Sequence, residues 1–420
     1  MNIYDANLVA TIFQHYGFEK STNIHESEFI ILQTCSVRKH AEDRIRNKLV
    51  HYTALKKKRP DLKIILSGCL AQHKAIELAK EFQEIDLIVG TGEYLKIKNF
   101  LENRCNKKIN IELDDKIDYS DLYSEQFYSD SNAYIPIMRG CNNFCSYCIV
   151  PYLRGRERSR KPQDIINEIN KLNPNKFKEI TLLGQNVNSY MYGNIDFPEL
   201  LRLIDENTDF KRIRFLTSHP KDISIRLIEQ ISKLNSLCEH IHLPVQSGSN
   251  KILKLMNRNY TRESYIEKIR LAKEIIDKVS LSTDIIVGFP GEDEDDFKET
   301  LELLDIVGFE DAFMYKYSKR EGTAAALIEE TLTEEEKVKR LNKLIKYQLG
   351  ISNKVLHNRI GDIMEVLIEG RSKKNENEFL GRSRENIMVV FPSNNKLKMY
   401  DICNVKITGV SGKTLRGELI

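Results

Sequence analysis

Residues 141–148 read Cys-Asn-Asn-Phe-Cys-Ser-Tyr-Cys and follow an apolar run at residues 135–138. Apolar runs of this kind recur five more times, each leading into a polar or glycine-rich loop, at residues 180–183, 213–216, 241–243, 283–287 and 313–317. Helical segments separate them, and strands that alternate with helices predict a parallel sheet. Six such units predict an open, partial (βα)6 barrel that carries the cysteine stretch on its first loop.

The three cysteines of this loop, Cys141, Cys145 and Cys148, lie within eight residues. Thiolates are the ligands of iron–sulfur clusters. Three closely spaced thiolates can hold three corners of a 4Fe–4S cubane and leave the fourth iron open to a substrate. Zinc is the weaker alternative, because a structural zinc site has four ligands and no fourth Cys or His lies nearby in the sequence; a disulfide is weaker still. Phe144 and Tyr147 would help to keep a cluster dry, although plain packing explains them equally well.

The first third of the chain also alternates between predicted helices and short apolar strands, which indicates a parallel sheet. Cys35 comes just after the strand that begins at Phe29, and Cys69 follows the next strand, with Gly68 immediately before it. The carboxyl ends of parallel strands meet at one edge of a sheet, where such folds place ligands. We therefore interpret Cys35 and Cys69 as metal ligands, with buried structural cysteine as the alternative for each.

Beyond the barrel, a charged helix is expected from about residue 333 to 357, and the remainder alternates with period two between turns at glycine and proline. This pattern predicts a small β-barrel. The fold class is therefore α/β, with an N-terminal parallel-sheet domain, a partial barrel and a C-terminal β-barrel. The expected boundaries are 1–113 for the N-terminal domain, 114–131 for an acidic linker, 132–357 for the barrel domain and 358–420 for the β-barrel.

Composition restricts the possible partners and the compartment. The chain has 420 residues and a net charge of +3, with no apolar stretch long enough for a membrane span and no export signal at its start. We therefore predict a cytoplasmic protein without membrane contact, in which clustered thiols are metal ligands or catalysts. Nine Lys or Arg lie between residues 38 and 59 and five between 154 and 161. These patches suit a polyanion, but a solvated helix face is the more common explanation.

The spacing of the three loop cysteines resembles the radical S-adenosylmethionine superfamily. The resemblance implies that S-adenosylmethionine binds the open iron and is cleaved to methionine and a 5′-deoxyadenosyl radical. Together with Gln33–Arg38, Ser67–Cys69 and Arg139–Arg160, the pattern is similar to the methylthiotransferases of this superfamily. Their organisation is a flavodoxin-like domain, a radical domain and a TRAM β-barrel, and the similarity spans essentially the whole chain.

The same resemblance implies a second 4Fe–4S cluster, which three N-terminal thiolates hold and which supplies or carries the sulfur. The family's first ligand lies in a Gly-Cys-x-Met-Asn segment, and this sequence begins at what resembles its Met-Asn, with Met1 and Asn2. Cys35 and Cys69 would therefore be two of the three ligands. Our expectation is that the start codon was assigned too late or that the sequence is truncated, and that the upstream reading frame encodes a strand ending in Gly-Cys.

The segments 183–190, 218–220 and 243–249 resemble the branch that acts on N6-isopentenyladenosine next to the tRNA anticodon. The resemblance implies two uses of S-adenosylmethionine: one molecule methylates a sulfur of the N-terminal cluster, and a second gives the radical that abstracts hydrogen from C2. The candidates at the carboxyl edge of the barrel for holding the cofactor or the base are Gln185, Ser218, Gln246 and Asp284. His219 and His242 are substrate contacts or ordinary hydrogen-bonded strand histidines.

The expected partner is the tRNA anticodon stem-loop, with an electron donor such as flavodoxin or ferredoxin, and the chain is expected to be a monomer. Residues 359–420 contain eleven basic and eight acidic residues, Arg382 and Arg384 among them. This excess fits RNA phosphates, and exposed loop bases are the usual specific target in RNA. The alternatives are a methylthiotransferase for threonylcarbamoyladenosine in tRNA, or a non-catalytic RNA-binding iron–sulfur protein.

Overall fold

The computed structural model describes residues 1–35, 39–104, 108–113 and 131–420. The backbone divides into two compact units. The first comprises Met1–Ser129, Arg139–Asn142 and Ile149–Arg158, and the second comprises Asp130–Met138, Asn143–Cys148 and Ser159–Ile420. The predicted linker at 114–131 lies outside the described residues except for Ser131. No helix among the described residues is both long and apolar enough to cross a membrane.

The first unit is built on a four-stranded parallel sheet whose strands follow chain order. In chain order its elements are α1 (Asn2–His15), β1 (Phe29–Thr34), α2 (Lys39–Lys58), β2 (Lys63–Gly68), α3 (Cys69–Glu81), β3 (Leu87–Val89), α4 (Leu95–Leu101) and β4 (Ile109–Asn110). The predicted helices and strands are present, and α4 and β4 extend the series.

Both faces of this sheet are covered, because side chains alternate along each strand. Ile64 and Leu66 of β2 pack in one apolar cluster with residues of α2 and α3, such as Leu49 and Leu70. Ile65 points the other way and belongs to a second cluster, formed with residues of α1 and α4. The apolar run of β2 therefore reads as continuous, which is typical of a parallel strand buried on both faces.

The second unit contains the six strands that the sequence predicted, arranged as two three-stranded parallel sheets, β5-β8-β11 and β12-β13-β14. The elements from residue 132 to 357 are β5 (Asn132–Pro136), β6 (Met138–Arg139), α5 (Val150–Arg154), β7 (Arg158–Ser159), α6 (Pro162–Asn170), β8 (Glu179–Leu183), β9 (Met191–Tyr192), β10 (Ile195–Asp196), α7 (Phe197–Asn207), β11 (Ile213–Phe215), α8 (Ile225–Lys233), β12 (His240–His242), α9 (Asn250–Leu255), α10 (Arg262–Ile275), β13 (Ser280–Val287), α11 (Glu294–Val307), β14 (Asp311–Lys316) and α12 (Glu334–His357). An isolated parallel bridge connects Ile213 of β11 to Leu237, which lies shortly before β12.

The two faces of these strands differ in polarity. Ile241 and Leu281 belong to the large apolar cluster that includes residues of the surrounding helices. On the other face of the same strands, the hydroxyl of Ser282 lies 2.9 Å from ring nitrogens of both His240 and His242. The side of the sheet that faces away from the helices is therefore polar, and it can hold a polar ligand.

The last strands form a closed barrel in the order β15-β16-β17-β19-β18. Their bounds are β15 (Ile363–Arg371), β16 (Glu378–Ser383), β17 (Met388–Pro392), β18 (Ile402–Ser411) and β19 (Thr414–Leu419). Strand shifts at Ile368/Gly370 and Ile407/Gly409 are irregularities of the β-bulge type, which bend strands enough to close a small barrel. The α/β fold class with a partial barrel and a small β-barrel, expected from the sequence, is confirmed.

The β-barrel packs on the amino ends of the partial-barrel strands. Arg212, at the amino end of β11, is fully buried and donates to the carboxylates of Glu179 and Glu365. Arg384 pairs with Glu239, immediately before β12, at 2.9 Å. The carboxyl ends of the strands, where ligands bind in such folds, lie at the opposite edge.

Candidate active site

Cys35 and Cys69 lie at neighbouring strand ends of the first unit. Thr34 and Gly68, which immediately precede the two cysteines, are register partners in the parallel pair β1 and β2. Neither cysteine is in a disulfide; Cys35 is half-buried and Cys69 is buried. Burial raises the pKa of the Cys69 thiol, and the nearby charge of Cys35 raises it further. Two soft donors therefore share one edge of the sheet.

The turn into α3 depends on Thr34 and Gly68. Gly68 has a φ of +96°, and a Cβ at this position would lie 2.6 Å from the main-chain oxygen of Thr34. The Thr34 hydroxyl accepts from the amides of Leu70 and Ala71 and donates to the carbonyl of Ser67. This hydroxyl satisfies two amides at the start of α3, which fixes Cys69 as the first residue of the helix.

Cys69 lies near a group of charged residues that includes a buried carboxylate. Asp5 is fully buried and accepts from Arg154 at 2.8 Å and from Arg139 at 3.4 Å. Burial would raise the pKa of Asp5, but Arg154 and Arg139 hold it below its ordinary value. The charge of Arg154 also acts on Cys69, where it lowers the pKa of the thiol against the effect of burial. Arg154, which follows the 141–148 loop in sequence, therefore acts on Cys69 within the first unit, and Arg139, which precedes the loop, contacts Asp5. The sequence did not indicate either interaction.

The cysteine loop begins in the first unit and continues in the second. In the first, Cys141 is half-buried and its amide donates to the carbonyl of Gly155 at 3.2 Å. In the second, Cys145 is buried and Cys148 is half-buried, and the Cys148 amide donates to the Cys145 carbonyl at 2.9 Å. None of the three is in a disulfide, so the donor set that an iron–sulfur cluster needs is present.

Within the described ranges, no three His, Cys, Asp or Glu side chains are grouped so that they could hold one metal ion. A cubane has a different requirement, because each thiolate binds its own iron. The donor set of the loop, three thiols without carboxylate or imidazole, is soft and fits iron–sulfur chemistry.

The predicted cofactor residues follow different strands of the second unit. Gln185 comes after β8 and is half-buried, whereas Ser218 comes after β11 and is buried. Gln246 follows β12 with a φ of +70°, and its amide donates to the carbonyl of Asp284 in β13 at 2.8 Å. The structure thus places Gln246 and Asp284 side by side, and all four side chains on the carboxyl halves of strands or on the loops that follow.

Several buried polar atoms on these loops have no hydrogen-bond partner among the described residues. They are Asn186 Oδ1, Ser218 Oγ, His219 Nε2 and Gln246 Oε1. A buried polar atom without a partner costs about 1–3 kcal/mol. Four of them on loops after β8, β11 and β12 therefore suit a polar ligand that would supply the missing partners. Ser218 and Gln246 were predicted, but Asn186 was not.

The two candidate histidines have different environments. Burial, together with the charges of Arg258, Lys221 and Lys268, lowers the pKa of His219 to about 2, so its ring is neutral. His219 Nδ1 accepts from the amide of Lys221, which leaves Nε2–H free to donate to a ligand. His242 instead lies 3.6 Å from Asp284 and hydrogen-bonds Ser282. Its ring is therefore held by the strand next to it.

Arg258 is a further residue of this region that the sequence did not reveal. Its Nη1 donates to the Cys145 sulfur at 3.4 Å and its Nη2 to the carbonyl of Pro244 at 2.6 Å. It lies in the loop between α9 and α10, more than a hundred residues from Cys145. An arginine in a loop carries no local signal, so only the tertiary contact could identify it.

Comparison with known proteins shows that three parts of the chain each match a family model. Residues 1–90 match the model described as uncharacterized protein family UPF0004, residues 135–304 match the radical SAM superfamily, and residues 358–420 match the TRAM domain. The three matches follow one another along the chain and leave residues 91–134 and 305–357 between them, the latter with β14 and α12.

Similar full-length proteins share one name, tRNA-2-methylthio-N(6)-dimethylallyladenosine synthase. The protein of Azobacteroides pseudotrichonymphae is 44% identical over 425 residues, which cover 100% of this chain and 94% of the relative. That of Bacteroides fragilis is 42% identical, covering 100% and 93%. That of Thermoanaerobacter pseudethanolicus is 44% identical, covering 100% and 90%.

Solved structures support the fold alone. The radical S-adenosylmethionine methyltransferase TsrM from Kitasatospora setae superimposes with a TM-score of 0.60 at 13% identity, covering 77% of this chain and 72% of that one. The cobalamin-dependent S-adenosylmethionine radical enzyme OxsB gives a TM-score of 0.52 at 16% identity, covering 81% of this chain and 50% of that one.

Proposed function

The chain belongs to the tRNA-2-methylthio-N(6)-dimethylallyladenosine synthase family of radical S-adenosylmethionine enzymes, and we propose that it adds a methylthio group to C2 of N6-isopentenyladenosine beside the tRNA anticodon. The observation that carries the proposal is the group of unpartnered polar atoms on the loops after β8, β11 and β12. A cofactor with amino, carboxylate and adenosine groups would supply their missing hydrogen bonds.

In this proposal each part of the chain has its own task. Residues 1–113 form the N-terminal methylthiotransferase domain, 114–131 a linker, 132–357 the radical domain and 358–420 the RNA-binding TRAM-like domain. The matches to three family models at 1–90, 135–304 and 358–420 support this division. The whole chain is cytoplasmic and works as a monomer.

Cys141, Cys145 and Cys148 would hold a 4Fe–4S cluster, and Cys35 and Cys69 would be two of the three ligands of a second one. When bound, the first supplies the electron that cleaves S-adenosylmethionine and the second supplies the sulfur. The absence of a disulfide at each of these five cysteines supports this assignment. Reduction requires an electron donor such as flavodoxin or ferredoxin.

The protein's own residues bind, orient and dry the reactants. Gln185, Ser218, Gln246 and Asp284 would hold S-adenosylmethionine or the adenine base by hydrogen bonds from different strand ends. His219, neutral because its pKa is about 2, can donate from Nε2 without adding a charge. No acid or base is required of these residues, since the C2–H bond is broken by hydrogen abstraction.

The C-terminal barrel contributes the tRNA contact. Arg382 pairs with Glu369, and Arg384 with Glu239, so both guanidinium groups are already engaged. The exposed lysines of two loops remain: Lys373 and Lys374 in the loop after β15, and Lys396 and Lys398 in the loop after β17. A hydrogen bond from the Ser393 amide to the Asn377 carbonyl joins the two loops. We assign the contact with the anticodon stem phosphates to these two loops, which together form the lysine end of the barrel.

Mass spectrometry of tRNA nucleosides tests the proposal. A strain without the gene should accumulate unmodified N6-isopentenyladenosine, and expression of the gene from a plasmid should restore the methylthio group. Accumulation of unmodified threonylcarbamoyladenosine instead would favour the alternative substrate. Unchanged nucleosides would favour a non-catalytic RNA-binding iron–sulfur protein.

A purified protein separates cofactor cleavage from sulfur insertion. Cys145→Ala should abolish release of 5′-deoxyadenosine under strong reductant, whereas Cys35→Ala should keep this release and stop sulfur insertion. Cys403→Ala is the matched control, because Cys403 is a free, half-buried thiol of the C-terminal barrel. Full thiolation by Cys35→Ala would contradict the role of the second cluster.

A further inference from the structure

The segment 255–258, which runs from the last residue of α9 into the loop before α10, holds the second half of the cysteine loop through a set of hydrogen bonds. The Ser146 amide donates to the carbonyl of Met256 at 3.0 Å, and the Ser146 hydroxyl donates to the carbonyl of Leu255 at 2.8 Å. Asn257 Nδ2 donates to the carbonyl of Phe144 at 3.0 Å. These bonds fix the backbone on both sides of Cys145, since Phe144 and Ser146 are its chain neighbours.

Arg258 extends this contact to the cysteine side chain itself. Only 4% of its surface is exposed, and each of its three nitrogens has an acceptor. Nη1 donates to Cys145 Sγ at 3.4 Å, Nη2 to the Pro244 carbonyl at 2.6 Å and Nε to the Tyr260 hydroxyl at 2.9 Å. Tyr260 in turn donates to the carbonyl of Val245 at 2.8 Å, next to Gln246.

The charge of this guanidinium has no carboxylate opposite it. No ion pair forms between Arg258 and any Asp or Glu of the described part of the chain; its acceptors are two neutral oxygens and one sulfur. A buried charge is costly unless an opposite charge compensates it, and arginine does not lose its proton in proteins. A thiolate at Cys145, in a cluster that three thiolates make anionic, would be the compensating charge.

We propose that Arg258 is a positioning residue that donates a hydrogen bond to the cluster-ligating sulfur of Cys145 and thereby makes the cluster easier to reduce. This inference rests on the proposed function, in which Cys145 is a cluster ligand. Reduction adds negative charge to the cluster, and a donated N–H with a full positive charge stabilises the reduced form more than the oxidised form. The low dielectric of a buried site strengthens the effect.

The same guanidinium connects the sulfur to the turn that carries Gln246. Because Nη2 and the Nε–Tyr260 bond reach Pro244 and Val245, displacement of Arg258 would change the position of the cofactor turn relative to Cys145. Arg258 therefore also positions the turn that carries Gln246 relative to Cys145. A lysine could supply the charge, but it lacks the planar fork of donors with which arginine reaches all three acceptors.

Redox titration of reconstituted full-length protein tests the inference. The readout is the midpoint potential of the electron paramagnetic resonance signal that changes when S-adenosylmethionine is added, in wild type, Arg258→Gln and Arg258→Lys. Iron and sulfide content per chain shows whether each protein is loaded. Arg262→Gln is the matched control, because Arg262 pairs with Glu302 and does not contact the loop.

We expect the midpoint of Arg258→Gln to move to a more negative potential, with Arg258→Lys between it and wild type and Arg262→Gln unchanged. With a reductant of limited strength, 5′-deoxyadenosine formation by Arg258→Gln should fall about tenfold, as expected for loss of one hydrogen bond to a charged group. A loaded Arg258→Gln or Arg258→Lys with the wild-type midpoint would overturn the inference. If wild type itself lacks a signal that responds to S-adenosylmethionine, the proposed function fails instead.

Should Arg258→Gln not load iron, Arg258→Lys decides, because it keeps the charge in the buried site. A wild-type midpoint and wild-type cleavage rate in loaded Arg258→Lys would then contradict a role for the directed hydrogen bond. A more negative midpoint in Arg258→Lys, with full iron content, would support it.

Discussion

Gly68 determines how closely the strand ends that carry Cys35 and Cys69 can approach. In Gly68→Ala, the new Cβ would meet the Thr34 main-chain oxygen at 2.6 Å and would sit at a φ of +96°. The φ of +96° and ψ of −159° lie in a backbone region that essentially only glycine adopts, which costs an alanine about 1–3 kcal/mol. The clash adds to this cost because the Thr34 oxygen belongs to the backbone and cannot rotate away. We expect the free energy of unfolding to fall by about 3 kcal/mol, measured by urea denaturation followed by circular dichroism.

Gly17→Ala is the matched control for this substitution. Gly17 has a φ of +81°, but no atom lies within 4 Å of the position that a Cβ would occupy there. The free energy of unfolding of Gly17→Ala should therefore fall only by the conformational cost of positive φ, about 1 kcal/mol. Equal losses in the two variants would mean that Thr34 can move and that the close approach of the strand ends is not a constraint.

His219 gives a pH dependence whose sign follows from its burial. Its pKa is about 2 in the folded chain, against about 6.5 in an unfolded one, so the unfolded state binds the extra proton as the pH falls below 6.5. The free energy of unfolding should therefore fall by about 1.4 kcal/mol between pH 7.5 and pH 5.5 from this group. In the same denaturation experiment, the free energy of unfolding of His219→Gln should fall less between these two pH values, because the variant has no imidazole to protonate. An identical pH dependence in both proteins would contradict the neutral ring.

At the residue scale, the sequence reveals groups whose chemistry is rare and whose spacing is local. Cys141, Cys145 and Cys148 are recognisable because three thiols fall on one loop. Arg258 and Arg154 are not, because arginine is common and the sulfur or carboxylate that each contacts lies far along the chain. Buried atoms without partners, such as Asn186 Oδ1, become visible only when all neighbours are known.

At the scale of elements, hydrophobic runs predicted all six strands of the partial barrel, because these strands are buried and therefore continuous in apolar residues. α4 and β4 were missed, since β4 is only Ile109–Asn110 and α4 contains few buried residues. The charged α12 was recognised from residues 333–357, where Thr333 and Glu336 form a capping box at its start.

The loop that carries Gln246 is held against α11, and its position is testable. A Cβ on Gly248 would lie 2.5 Å from the Glu299 carbonyl oxygen and 2.6 Å from the Thr300 Cα, both in the helix. In Gly248→Ala the loop must move away from α11, and Gln246 moves with it. We expect binding of S-adenosylmethionine to weaken about tenfold, which corresponds to roughly one hydrogen bond, measured by isothermal titration of the anaerobically reconstituted protein.

Gly409→Ala is the control for the loop, because no atom lies within 4 Å of a Cβ at that strand position. Its affinity for S-adenosylmethionine should equal that of wild type. Wild-type affinity in Gly248→Ala, with an unchanged circular dichroism spectrum, would remove Gln246 from the cofactor site.

For the second unit as a whole, the C-terminal barrel is attached by buried charges. Arg214 donates to the carbonyls of Ser383 and Arg384, and Arg384 bonds the carboxylate of Glu239. The sequence indicated a basic barrel but could not show which basic residues are engaged, since pairing depends on the docked position. Arg382 and Arg384, which the sequence analysis singled out, pair with carboxylates of the same unit, so their charges are compensated there.

This distribution of charge leads to a prediction about tRNA affinity at the lysine end. Each phosphate contact contributes about 0.7–0.9 to the slope of log affinity against log salt, so Lys373→Ala/Lys374→Ala should reduce the slope by about 1.5 in binding assays with an anticodon stem-loop. Lys233→Ala/Lys298→Ala is the control, because these lysines already pair with Glu229 and Asp295.

Arg384→Ala should lower stability and leave the slope unchanged, because its guanidinium is engaged with Glu239. If Arg384→Ala reduced the slope and the lysine pair did not, the phosphates would contact the docked edge of the barrel rather than its lysine end.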